Sequence, residues 1–158
     1  MPNGIFSGVP GNVRVRACGL ITSGEKLLLA NHPGLYGHDF WLPPGGRVEF
    51  GSSMSETVIR EIREECNLTV TADHFRFACS VRRGQVHAVE FFFQADVHGG
   101  TLSVGHDPER GENQILSEVR FIPFSEIARM PRINLHPVFS LIKEPSKIMD
   151  LTGFLELS

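Results

Sequence analysis

The chain has 158 residues, 41% of them hydrophobic, which is enough for one sizeable core and too few for two ordinary domains. A formal net charge of -3 excludes wholesale attraction to nucleic acid or to an anionic membrane, so any phosphate-bearing partner is expected to be small. No apolar run approaches the roughly 20 residues of a membrane span, and the N-terminus lacks the charge and apolar core of a signal peptide, which together predict a cytoplasmic protein.

In chain order, residues 1–12 are rich in Gly and Pro and read as a loose arm. "VRVRACGLI" then alternates and runs apolar like a strand entering a core, "TSGEK" supplies a hairpin turn, and "LLLA" is the return strand. The Gly- and Pro-rich "NHPGLYGHDFWLPPGG" must be a loop. A strong helix signal follows. Ser53 with Glu56 three residues later is a capping-box pair, and Met54, Val58, Ile62 and Cys66 recur at helical spacing. "FRFACSV", "HAVEFFFQADV" and "EVRFIPF" read as three more strands, with "HGGTLSVGHDPERGENQ" as a polar connection. Ser125 is placed to cap a short helix over "EIARM", and "HPVFSLIKEP" to form a last one before a tail over residues 145–158. The sum is a single α+β domain over residues 1–158, a mixed sheet covered by helices.

Cys18, Cys66 and Cys79 are odd in number and widely spaced, which argues against structural zinc and a disulfide framework; small buried side chains are the expectation for Cys18 and Cys66. Of Phe91, Phe92 and Phe93, at least one should point into the core.

The helix crowds Glu61, Glu64 and Glu65 along one edge of its apolar side. Glu61 and Glu65 are a like-charge pair one turn apart, costing a few tenths of a kcal/mol when exposed. The penalty grows in a partly desolvated groove, because the Coulomb energy scales inversely with dielectric. Arg60 and Arg63 point towards the opposite arc. A solvated acidic face is one reading; a site for Mg²⁺ or Mn²⁺, hard cations that take carboxylates, water and substrate phosphates, is the other. The "PPGGRVEFG" stretch just before the helix favours the second, because a Gly pair lets backbone approach a ligand and offers a carbonyl to a metal.

Gly46, with Arg60, Glu61, Ile62, Arg63, Glu64, Glu65, Cys66, Asn67 and Leu68 in register, resembles the Nudix hydrolase signature, and "WLPPGG" resembles the lead-in of many members. Two positions depart. Ser52 stands where the family's first Glu belongs, leaving the motif Arg60 short of a partner that Glu56, one turn before it, is placed to replace. Asn67 replaces a Gly at the helix end, where Asn is the next most tolerant residue of a left-handed conformation.

The resemblance implies the family's α/β/α sandwich. It also implies metal-dependent hydrolysis of the pyrophosphate bond in a nucleoside diphosphate linked to another moiety: a nucleotide sugar, ADP-ribose, a dinucleoside polyphosphate or a nucleoside triphosphate. Glu61, Glu64 and Glu65, with the Gly45 carbonyl, would hold the metal. An acid outside the helix often completes such sites, and among Glu90, Glu109, Glu112 and Glu118 the loop residue Glu112 is the choice, as metal ligand or base. The catalytic set is then Arg60, Glu61, Glu64 and Glu112, with the base open among the three acids. Arg14 and Arg16 share a strand face, where they contact phosphate or ribose or are solvated; Arg47 is better placed for phosphate. Trp41 completes the expected substrate contacts, and His32, His38, Tyr36 and Phe40 lie on the same loop. The alternative is a catalytically weak nucleotide-binding sensor, supported by Ser52 alone. The expected partner is a small nucleotide-derived substrate, with no nucleic acid and no membrane; oligomeric state is open, though the tail has enough Leu and Phe for a homodimer contact.

Overall fold

The computed structural model describes residues 11–84, 86–105 and 116–157. Strand β1 (Arg14–Leu20) sits second in a five-stranded sheet with β5 (Gly45–Arg47), β7 (Val86–Gly100), β6 (Leu68–Arg83) and β9 (Gly153–Leu157), in the order β5-β1-β7-β6-β9. β1 runs parallel to β7, and β6 runs parallel to β9; the other pairings in this sheet are antiparallel, so it is mixed. A second sheet joins β2 (Thr22–Ser23), β3 (Lys26–Asn31), β4 (Trp41–Leu42) and β8 (Glu118–Pro123).

Side-chain alternation along β1 and β3 turns successive residues into two different core clusters on opposite sides. Cys18 and Leu20 of β1, with Leu27 and Leu29 of β3, face a core closed by Phe92, Ile127, Val138 and Phe139. Ala17, Leu28 and Ala30 face the opposite way, onto the 13-residue helix α1 (Met54–Cys66). Val58, Ile62 and Cys66 of α1 are fully buried there, worth roughly 1.5–3 kcal/mol for each large aliphatic side chain. Layers of helix therefore lie on both sides of strand, the expected sandwich.

The start of α1 is set locally. The Ser53 side chain accepts from the Glu56 N–H while the Glu56 carboxylate accepts from the Ser53 N–H, closing the expected capping box. At the other end Asn67 adopts φ 58 and ψ 33, the left-handed conformation that stops the helix.

Elsewhere the structure departs from expectation. The short helix α2 (Phe124–Ile127) follows Pro123 and has no side-chain cap, so Ser125 lies inside it and not before it. The last expected helix is replaced by 3-10 turns at Pro137–Leu141 and Pro145–Asp150, each opening on a proline that has no N–H to continue a ladder. The tail is not a free appendage: β9 adds to the edge of the five-stranded sheet beside β6 and buries Leu157. The N-terminal arm up to residue 10 lies outside the described residues.

Candidate functional site

β5 is the outer strand beside β1, and α1 crosses it so that Gly46 lies directly beneath Glu61. A methyl group at Gly46 would stand 2.2 Å from the Glu61 carboxyl carbon. The Gly pair is thus the floor on which a carboxylate rests. Arg60 holds that carboxylate from the side, donating from Nη2 to Glu61 Oε1 at 3.1 Å and to the Arg47 carbonyl at 3.1 Å. Its other amino group pairs with Glu49 Oε2 at 2.9 Å. Partial burial opposes the Arg60 charge, but the Glu61 hydrogen bond and the charges of Glu61, Glu49 and Glu64 outweigh it and raise its pKa. Arg60 therefore turns towards the acidic edge and not to the opposite arc.

Glu56 is not its partner. The Glu56 carboxylate is committed to the Ser53 backbone, and besides Glu61 the acid that pairs with Arg60 is Glu49, at the start of the turn before the helix. No spacing rule pointed to Glu49, because the contact is made by a loop folding back.

Glu64 is half-buried and Glu65 buried at the far end of the same edge. His32, also buried, places Nε2 3.9 Å from Glu65 Oε2. The segment after β7 closes over this end: the Ser103 and Gly105 N–H groups donate to the carbonyls of Cys66 and Glu65 at 3.1 and 2.8 Å. A methyl group at Gly105 would lie 1.5 Å from the Glu64 carbonyl oxygen, so only glycine allows the chain this close. Glu112 and Glu109 lie outside the described residues. Glu118, the other strand-associated candidate, is exposed and paired with Arg120 at 3.3 Å.

Two residues expected to contact substrate, Arg16 and Trp41, lie in the interior. Arg16 is 1% exposed, its guanidinium paired with the equally buried Glu90 on neighbouring β7. His136 completes the cluster: its Nδ1 accepts from the Val138 N–H at 3.1 Å, so Nε2 carries the proton and donates to Glu90 Oε1 at 2.6 Å. Burial alone would push the Glu90 carboxyl up, but His136 and then Arg16 overcome it and bring it down to about 2. Arg16 is a member of a core ion pair because the β1–β7 register aligns it with Glu90; strand alternation could show its face but not what that face meets. Trp41 is buried as well, packed in the core with the Arg120 guanidinium 5.6 Å from its ring centre, and offers no open platform. Arg47, by contrast, is exposed and lines a groove of about 430 Å³ with Arg14, Val48, Glu49 and Phe50, and its carbonyl accepts from Arg60. Tyr36 stacks against the Arg83 guanidinium at 4.2 Å. Phe92 enters the core while Phe91 and Phe93 pack against Phe75, and the three cysteines are buried and free.

The NUDIX domain model matches residues 12–140. The chain belongs to the NUDIX family. It is 31% identical over 96 residues to the ADP-ribose pyrophosphatase of Methanocaldococcus jannaschii, covering 60% of this chain and 57% of that protein. It is 28% identical over 111 residues to the NAD-capped RNA hydrolase NudC of Pectobacterium atrosepticum, covering 70% of this chain and 39% of the relative. The match thus spans less than two thirds of the length of either curated relative. Among solved structures, the E. coli ORF135 protein shares the fold with a TM-score of 0.65 at 18% identity, over 87% of this chain and 89% of that one.

The NUDIX signature maps onto the edge just described, from Gly46 under Glu61 to Asn67 at the helix end. Its donors fit a hard divalent cation in kind: carboxylate oxygens of Glu61, Glu64 and Glu65 in one helix edge, with the Gly46 cradle leaving room for Glu61. Among the described residues, no three His, Cys, Asp or Glu side chains converge closely enough to hold a metal by themselves.

Proposed function

We propose that this NUDIX protein hydrolyses the pyrophosphate bond of a small nucleoside diphosphate derivative, using Mg²⁺ or Mn²⁺ held by Glu61, Glu64 and Glu65 with the Gly45 carbonyl and Glu112. The observation that carries the reading is the Glu61 carboxylate seated over Gly46 and clamped by Arg60, on the same edge as Glu64 and the buried Glu65. A bound divalent cation neutralises charge on the phosphates and makes a water more acidic. The chain's own groups then do three things. Arg60 fixes Glu61; one carboxylate among Glu61, Glu64 and Glu112 accepts the proton of the attacking water; and the exposed Arg47 contacts a phosphate of the substrate. Water oxygen bonds to one phosphorus as the bridging P–O bond breaks, and the other phosphate departs with its substituent.

The named relative in Methanocaldococcus jannaschii makes ADP-ribose the first substrate to test, ahead of nucleotide sugars, dinucleoside polyphosphates and nucleoside triphosphates. The alternative is a catalytically weak nucleotide-binding sensor, whose only sequence support is Ser52; the Glu49 carboxylate, 2.9 Å from Arg60, favours the hydrolase reading over it. The experiment is product release from that panel with and without Mg²⁺. Glu64→Gln and Glu65→Gln are expected to lower kcat by about 10² or more with the fold retained. No turnover of any member, with tight binding of one, overturns the hydrolase reading in favour of the sensor.

A further inference from the structure

We infer that Glu49 is a positioning residue of the catalytic edge: it takes the place of the signature glutamate missing at Ser52 and, by holding one half of the Arg60 guanidinium, leaves the Glu61 carboxylate available. The inference rests on the pyrophosphohydrolase reading and adds to it a residue outside the signature. Three observations carry it. Arg60 divides its two amino groups, Nη1 to Glu49 at 2.9 Å and Nη2 to Glu61 at 3.1 Å and to the Arg47 carbonyl. Glu56, the acid one turn before Arg60, is spent on the helix cap. Glu49 and Ser52 are the two ends of one tight turn, closed by the Ser52 N–H to the Glu49 carbonyl at 3.0 Å with Gly51 at φ +88, so their side chains leave from Cα atoms within about 7 Å of each other. A glutamate at either end of that turn can approach the same guanidinium.

The consequence is electrostatic. A guanidinium shared between two carboxylates neutralises each only in part, whereas one deprived of Glu49 turns its whole planar fork onto Glu61 and competes with a cation for its oxygens. Glu49 is 44% exposed and Arg60 27%, so their pair is worth little to folding and its loss is expected to leave the melting temperature nearly unchanged.

The test compares the full chain with Glu49→Gln, Ser52→Glu and the double variant in three measurements: steady-state hydrolysis of the best panel substrate, Mn²⁺ binding by calorimetry, and thermal melting. Glu49→Gln is expected to lower kcat about tenfold with KM within about twofold, and to weaken Mn²⁺ about threefold. Ser52→Glu alone stays within about twofold of the parent, and the double variant regains kcat and Mn²⁺ affinity to within about threefold of it, because the second turn position restores the partner. Glu49→Gln matching the parent in both kcat and Mn²⁺ affinity, or a double variant no better than Glu49→Gln, overturns the inference. A parent chain inert on the whole panel overturns the hydrolase reading instead, and the Mn²⁺ measurement still decides the role of Glu49.

Discussion

Gly46→Ala tests the seat of Glu61. The added methyl would lie 2.2 Å from the carboxyl carbon and 2.3 and 2.6 Å from the two oxygens, where ordinary contact starts at 3.4 Å. The carboxylate must therefore retreat by about 1 Å, a displacement that costs on the order of 10²-fold when it misplaces a reacting group. The backbone does not object, since Gly46 is absent from the positive-φ glycines, and the obstructing atoms belong to the end of a flexible side chain. Replacing Gly by Ala also narrows the unfolded ensemble by roughly 0.4–1 kcal/mol, which offsets part of the steric cost. Activity and stability should thus separate: kcat/KM for the Mg²⁺-dependent reaction falls about 10²-fold while the melting temperature moves by only a few degrees. If a correctly folded Gly46→Ala protein keeps kcat/KM within about threefold of the parent, the position of the carboxylate above β5 does not matter to the reaction, and the reasoning from the cradle is wrong.

Other outcomes follow from the same structure. The folded-state pKa of Glu90 is about 2, below its ordinary 4.5, so its stabilisation is present above pH 4.5 and lost as pH falls towards 2. Urea midpoints should drop by an amount equivalent to a few kcal/mol across that window, and a flat profile there would remove the charged Glu90 from the account. Leu157→Ala should cost about 2 kcal/mol in denaturant melts because the side chain is buried by β9 pairing with β6; an unchanged midpoint would mean that β9 is not docked in solution. Cys18, Cys66 and Cys79 are buried and burial pushes all three thiols up, so iodoacetamide should label the native protein far more slowly than the urea-unfolded one. Rapid labelling of any of the three in native buffer would contradict their packing.

Features that depend on neighbours a few residues apart are legible from the chain alone. The capping box at Ser53 and Glu56, the buried stripe of Val58, Ile62 and Cys66, the left-handed Asn67, and the acidic edge of Glu61, Glu64 and Glu65 are all consequences of helical period and of backbone groups that must be satisfied at helix ends. Strand existence was legible for the same reason, from period-two alternation. Which residues meet across large sequence separation emerges only once the chain is folded. The parallel register sets Arg16 against Glu90, a partner that its own strand does not reveal, and His136 reaches Glu90 from beyond β8. The tail was unremarkable until β6 offered it an edge to pair with. Glu56 seemed the natural partner of Arg60 by spacing, yet a capping bond took it and the turn at Glu49 supplied another acid. Local periodicity fixes which side of an element a residue occupies, but the partner on that side is chosen by strand register and loop closure, where the ordering cost of distant segments is repaid only by the contacts they make together.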